Sequence, residues 1–143
     1  MMRCWHKNMI PYLPDMQLKG QWRECVLIAK DLQEKGKTNH LLINILEQYP
    51  HNDFMTYCWY VYQEMQNRGF AVTLASMRKV FNIRYHIDTD IFNGWHNKEY
   101  LRVCYSNLYE KYKFGRGKSR ITETEWQRLL EGYKYITGED YKI

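Results

Sequence analysis

An apolar stripe of helical period near the start of the chain restricts the fold more than any other feature of the sequence. The stripe lies between Pro14-Asp15, which favour a helix start, and Gly36, which favours a helix end. Its five members are spaced by four and three residues: Leu18, Trp22, Cys25, Ala29 and Leu32. This spacing places them within about 80° of one another around a helix. The sequence therefore predicts an amphipathic helix from about residue 14 to residue 36, with this face buried.

Two more segments show the same period. Pro50 favours the start of a second helix and Gly69 its end. The apolar stripe between them is formed by Phe54, Tyr57, Val61 and Met65. A third helix is predicted from about Asn97 to Tyr112, and its inward face is formed by Leu101, Cys104 and Leu108.

Shorter elements complete the predicted fold. Residues 73–80 form a short helix, and Thr122 to Glu125 is a capping box that opens a last short helix ended by Gly132. A short apolar run, 41–46, lies between loops, and residues 81–95 show only a turn signal at Asn93-Gly94. The chain of 143 residues has no internal repeat and no linker. We predict a mainly α fold: a single compact domain, residues 1–143, of about three main helices plus short helices and long loops.

Several classes of protein are disfavoured by composition. Four cysteines stand apart among apolar residues, which indicates buried free thiols, and the five histidines have no metal-ligand spacing. No run of about 18 apolar residues and no signal peptide is visible. We expect a protein without metal or other cofactor and without a membrane span. We further expect a monomer that needs no protein partner and works in the cytoplasm.

Charge and aromatic content favour a polyanionic partner, though weakly. The formal net charge is +5, and 16% of the residues are aromatic. Surface rings beside basic residues suit stacking on bases, although core packing is their commoner use. Residues 111–120, KYKFGRGKSR, hold five basic residues, two glycines and no acid. We interpret them as a mobile loop that is either a solvated charged segment or a grip on phosphates, through Lys118 and Arg120.

The first helix carries a second, polar face beside its apolar stripe. Gln17, Gly20, Gln21 and Glu24 follow one another at i, i+3, i+4 and i+7. Glycine inside a helix costs roughly 1 kcal/mol relative to alanine. Either a close-approaching strand, ligand or chain terminus needs bare backbone at Gly20, or another helix crowds it. Taken alone, Glu24 has the pattern of a solvated carboxylate.

A resemblance changes that interpretation of Glu24. The pattern Met2-Arg3 followed by Asp15-x-x-Leu18-x-x-x-Trp22-Arg23-Glu24 resembles the pyrimidine-dimer DNA glycosylase family, the phage endonuclease V type. The string RCWHKNMIPYLPDMQLKGQWREC looks most like the bacterial branch of that family, with supporting likeness in QEMQNRGF and HNKEYLRVCYSNL. Tyr133-Lys134-Tyr135 looks like the aromatic and basic segment that the family places beside the lesion.

The resemblance implies a DNA repair glycosylase with abasic-site lyase activity and double-stranded damaged DNA as its substrate. The N-terminal amine, carried by Met2, attacks the sugar, and Glu24 assists. Residues implied or predicted to contact the substrate are Arg3, Gln17, Gln21, Arg23, Lys118, Arg120, Tyr133, Lys134 and Tyr135. The cell would be a bacterium or a phage-infected cell, with the protein associated with the nucleoid.

Two departures from the family pattern bear on these expectations. A bulky second residue favours retention of Met1, so the amine belongs to Met2 if the chain starts there and otherwise to Met1. Gln17 stands where the phage pattern has a histidine, which leaves the choice of lesion open. The alternative function is a non-catalytic nucleic-acid-binding protein on the same scaffold.

Overall fold

A computed structural model describes residues 3–36 and 44–143 of the chain. Helix α1 spans Asp15–Lys35, α2 His51–Asn67, α3 Leu74–Val80, α4 Lys98–Phe114 and α5 Glu123–Thr137. Short 3₁₀ helices cover Lys7–Tyr12, Asn44–Gln48 and Gly117–Ser119. The described residues contain no β-strand, so the predicted mainly α fold is confirmed.

The helix ends follow from local chemistry. Helix α1 ends at Gly36, whose φ of 72° is a left-handed conformation that glycine adopts readily. The side chains of Asn97 and Thr122 accept backbone N–H groups at the starts of α4 and α5. The capping box between Thr122 and Glu125 is confirmed. These ends agree with the predicted ones within about two residues, apart from the C-terminal end of α5.

One hydrophobic core joins the helices. Helix α1 packs against α2 and α3, α4 packs against α5, and the 3₁₀ helix Lys7–Tyr12 lies between α2 and α5. All four cysteines are buried free thiols, as predicted. No helix within residues 3–36 or 44–143 is long and apolar enough to cross a lipid bilayer.

The C-terminal helix is longer than the sequence indicated, because Gly132 does not end it. Gly132 lies inside α5 against the ring of Tyr12, where an added Cβ would come within 2.4 Å of Tyr12 Cγ. The glycine is therefore required by close packing between α5 and the 3₁₀ helix. Helix α5 continues to Thr137 and ends at Gly138, with φ of 77°.

The basic segment 111–120 is also less of a loop than predicted. Residues 111–114 form the last turn of α4, and Gly117–Ser119 is a turn of 3₁₀ helix. The apolar run 41–46 falls partly outside the described residues; its remainder opens the 3₁₀ helix Asn44–Gln48.

Candidate active site

A cleft of about 590 Å³ separates the start of the chain and α1 from the end of α4. Its first wall consists of Arg3, Trp5, Met16, Gln17, Gly20, Gln21 and Glu24. Its second wall consists of Asn107, Glu110, Lys111, Phe114, Gly115 and Ser119. The polar face predicted for the first helix, Gln17 to Glu24, thus lines a cavity.

Glu24 is half-buried in the first wall. Its Oε2 accepts a hydrogen bond from the backbone N–H of Arg3 at 3.1 Å. Burial raises the pKa of the Glu24 carboxyl, while the Arg3 N–H and the charges of Arg23 and Arg3 oppose that rise. A carboxyl in this setting is suited both to stabilising a cation and to moving a proton.

Buried hydrogen bonds fix the backbone that precedes the 3₁₀ helix. The N–H of Trp5 donates to Gln21 Oε1 at 2.9 Å, and the Tyr57 hydroxyl donates to the Trp5 carbonyl at 2.6 Å. The Tyr100 hydroxyl donates to the Cys4 carbonyl at 2.6 Å. Side chains from α1, α2 and α4 therefore hold this segment in place at the cleft.

Two buried histidines extend this support. The Nδ1 of His96 accepts the backbone N–H of Lys7 at 2.9 Å, and the rings of His6 and His96 stack with centroids 5.2 Å apart. Burial lowers the pKa of His6 to about 4 and that of His96 to about 2. The Nδ1 atom of His6 likewise accepts the backbone N–H of Asn8 at 3.1 Å, and such an acceptor role requires an Nδ1 without a proton. In the described part of the chain, no group of three or more His, Cys, Asp or Glu residues could hold a metal ion.

Four of the predicted site residues meet in the cleft: Arg3, Gln17, Gln21 and Glu24. Gln21 is only 1% exposed, and its side-chain oxygen already holds Trp5. It therefore supports the N-terminal segment, which does not fit the direct DNA contact predicted for it. Met2 lies outside the described residues.

Gly20 lies beside Arg23 on the same wall. The nearest atom that an added Cβ at Gly20 would meet is Arg23 Nη2, at an ordinary 3.7 Å. Among residues 3–36 and 44–143, neither a neighbouring helix nor the segment that begins at Arg3 therefore crowds this glycine. Arg23, one helical turn after Gly20, is exposed to solvent. This geometry disfavours helix crowding as the reason for Gly20, and a ligand or the chain terminus stays the predicted reason for bare backbone there.

Lys118 and Arg120 flank the second wall. Both side chains are exposed, and Ser119 between them lines the cleft. The basic segment therefore lies at the edge of the same cavity as Glu24.

The predicted aromatic segment of the C-terminus lies elsewhere. Tyr133 is fully buried on α5, where its ring contacts Tyr105 and Tyr141, and this does not fit base stacking. Lys134 and Tyr135 are exposed, with Lys134 paired to Asp140 at 3.6 Å. None of the three residues 133–135 lines the cleft.

The second wall contains side chains that the sequence interpretation missed. Asn107, Glu110, Lys111 and Phe114 follow at i, i+3, i+4 and i+7, which is one face of α4. This spacing was a detectable signal. The four-residue pattern was missed because the helix was predicted to end at Tyr112, which left Phe114 outside it.

Comparison with known proteins assigns the chain to a family. The family model described as pyrimidine dimer DNA glycosylase matches residues 2–78. The match covers more than half of the chain of 143 residues. It includes the whole first wall of the cleft and ends before α4. No curated protein and no solved structure matches the chain significantly.

Proposed function

The chain belongs to the pyrimidine dimer DNA glycosylase family, and on that premise we propose that it is a combined glycosylase and abasic-site lyase. Its substrate is double-stranded DNA that carries a damaged pyrimidine, and its nucleophile is the N-terminal α-amine. The observation that carries the proposal is the hydrogen bond from the Arg3 N–H to Glu24 at the cleft. It puts the Arg3 backbone beside a carboxyl that is suited to acid–base work.

Covalent geometry supports Met2 as the bearer of the amine. Only three bonds separate the nitrogen of Met2 from that of Arg3, so the two nitrogens stay within about 4 Å of one another. An amine there lies within reach of the Glu24 carboxylate that accepts the Arg3 N–H. An α-amine also has a reference pKa of about 7.7–8.0, so a useful fraction is neutral and nucleophilic near pH 7. A chain that starts at Met1 would carry its amine one residue further away.

The proposed reaction has two stages. The amine nitrogen bonds to the sugar C1′, the base leaves with the electron pair of the glycosidic bond, and ring opening gives a protonated imine. Glu24 stabilises this cation and moves a proton at the sugar ring oxygen. Removal of a C2′ proton then breaks the C3′–O bond. The 3′-phosphate departs with the electrons of that bond, which cuts the strand. Water finally hydrolyses the imine and releases the amine.

Basic side chains around the cleft supply the grip on the duplex. We assign phosphate contacts to Arg3 and Arg23 on one side and to Lys118 and Arg120 on the other. These contacts position the protein without reading sequence. Gln17, half-buried in the first wall, is assigned to the damaged nucleotide itself.

Imine trapping tests the proposal. The protein is prepared with a free amine at Met2 by cleavage of an N-terminal fusion, and a matched sample keeps that amine acetylated. Both are mixed with a duplex that contains an abasic site, in the presence of borohydride, which reduces an imine to a stable adduct. The free protein should form a covalent adduct, and peptide mass analysis should place it on the N-terminal residue. The acetylated protein should bind the duplex without trapping.

The adduct position separates the alternatives, because Lys111 also lines the cleft. An adduct on Lys111, or full trapping by the acetylated protein, would overturn the N-terminal amine but keep an imine mechanism. DNA binding with no adduct in either sample would favour the non-catalytic binding protein instead.

A further inference from the structure

Phe114 lines the cleft as an exposed aromatic residue outside the hydrophobic core. The residue is 76% exposed on the last turn of α4. Within residues 3–36 and 44–143, only Phe114 and Tyr135 are exposed among the phenylalanines, tyrosines and tryptophans. Tyr135 lies on α5 and does not line the cleft, whereas Phe114 does.

The backbone holds Phe114 in a defined position. The next residue, Gly115, donates its N–H to the Lys111 carbonyl at 3.1 Å. A Cβ at Gly115 would come within 2.2 Å of that carbonyl oxygen and 3.0 Å of Arg120 Cα. The chain therefore turns sharply away just after Phe114, in a bend that only glycine can occupy without displacement of backbone atoms.

The surroundings of Phe114 indicate what its ring meets. Five basic residues and no acid occupy positions 111–120 around it. A phenyl ring has no affinity for phosphates. Its basic neighbours can bind the phosphates of the DNA backbone, and they would then hold the ring close to the bases of the duplex. Phenylalanine is among the apolar residues that proteins insert between base steps of a duplex.

We propose that Phe114 is the wedge that enters the duplex at the lesion and occupies the space left when a nucleotide is turned out of the base stack. This inference rests on the proposed function, because it assumes that the cleft receives a nucleotide from duplex DNA. An enzyme that attacks C1′ must unstack or turn out a nucleotide, at a cost of a few kcal/mol. Stacking of the Phe114 ring on the exposed neighbouring bases offsets that cost.

The wedge makes a prediction that a phosphate contact does not. Removal of the ring should slow excision of a damaged base, which requires unstacking of the duplex. It should leave unaffected a reaction at an abasic site, which requires little unstacking. The comparison is therefore between excision of a pyrimidine dimer and imine trapping at a ready-made abasic site, both under single-turnover conditions. Tyr135→Ala is the matched control, because Tyr135 is an equally exposed ring outside the cleft.

We expect Phe114→Ala to slow dimer excision by about 5- to 150-fold, the range that one base–aromatic stack contributes. Trapping at the abasic site should change less than about threefold, and Phe114→Trp should restore excision. Tyr135→Ala should leave both rates unchanged. Thermal melting checks that the variants fold, and Phe114→Ser, which also removes the ring at this exposed position, replaces the alanine variant if that one does not.

A second measurement keeps this inference separate from the proposed function. A fluorescent 2-aminopurine opposite the lesion brightens when it is unstacked, whether or not chemistry follows. Wild-type protein should brighten it on binding, and Phe114→Ala should not. Equal losses of excision and trapping, or unchanged fluorescence in Phe114→Ala, would overturn the wedge. Failure of wild-type protein to trap an imine, with the fluorescence difference intact, would overturn only the proposed lyase.

Discussion

Glu24 shows how one side chain serves both structure and the proposed chemistry. Its carboxylate accepts the Arg3 N–H and so holds the start of the chain at the cleft. Burial raises its pKa, which brings proton transfer closer to neutral pH. Gln21, one helical turn earlier, does only the first of these tasks, through Trp5. The neutral amide of Gln21 therefore only holds the backbone. The ionisable carboxyl of Glu24 holds the backbone and also lies where the proposed cationic imine would form.

Glu24→Gln should separate the two tasks. The amide oxygen of glutamine can still accept the Arg3 N–H, so the fold and DNA binding should persist. It cannot accept a proton or balance a cationic imine, so turnover should fall by about 10²- to 10⁴-fold. Single-turnover excision assays and thermal melting would measure the two effects. Glu131→Gln, at an exposed position of α5 outside the cleft, is the control and should retain near-normal turnover; equal losses in both variants would remove the special role of Glu24.

Gly20→Ala should raise stability and lower activity together. Alanine in a helix interior is favoured over glycine by roughly 1 kcal/mol, and the added Cβ meets no atom closer than 3.7 Å. The methyl group would, however, project into the cleft that the nucleotide must enter. Urea unfolding should therefore show a higher midpoint, while excision slows. A more stable variant with unchanged excision would show that nothing occupies the space at Gly20.

At the level of elements, α4 and its following turn form one structural unit at the edge of the cleft. The last turn of α4 carries Lys111 and Phe114 in the second wall, and the chain then bends at Gly115. The backbone N–H of Ile121 returns to the Lys111 carbonyl at 3.4 Å, which closes the segment. Lys118 and Arg120 therefore project from a short closed turn at the edge of the cleft, next to the residues that would meet DNA.

Replacement of Lys118 and Arg120 by alanine should reduce the salt dependence of DNA binding. Each phosphate contact contributes about −0.9 to the slope of log K against log salt. Loss of both should flatten the slope by up to about 1.8 and weaken binding to damaged and intact duplex alike. Arg78→Ala with Lys79→Ala, an equally basic pair on α3 away from the cleft, is the matched control. A slope changed by the α3 pair and not by the loop pair would place the duplex on a different face.

The whole molecule depends on a polar network buried between the N-terminal segment and the start of α4. His6 and His96 stack there, and burial, with smaller effects from the charge of Lys7, keeps the pKa of both rings far below 6.5. In the unfolded chain each ring takes up a proton near pH 6.5, while the folded protein excludes it. The folded state is therefore fully stable above pH 6.5 and loses stability as the pH falls below that value.

Lowering the pH from 7.5 to 5.5 should thus destabilise the protein by about 2–3 kcal/mol, since each excluded proton contributes about 1.4 kcal/mol per pH unit below 6.5. The raised pKa of Glu24 acts in the opposite direction, but it belongs to one half-buried group. Urea unfolding at several pH values measures the change, and NMR of the imidazole rings shows whether they stay neutral. Equal stability at both pH values, or rings that titrate near pH 6.5, would contradict the expected burial.

Local signals in the sequence determined the helical class, the spans of α1, α2 and α3, and the polar face from Gln17 to Glu24, because spacing, caps and glycines act within a few residues. Three features were decided only by tertiary packing. Gly132 lies inside a helix because Tyr12, 120 residues earlier, packs on it. Tyr133 is buried because α5 extends past that contact and turns the ring toward Tyr105. Phe114 reaches the cleft because α4 runs beside the N-terminal segment, which Tyr100 secures. Each of these three features depends on contacts between residues far apart in the chain, and a local sequence pattern cannot predict such contacts.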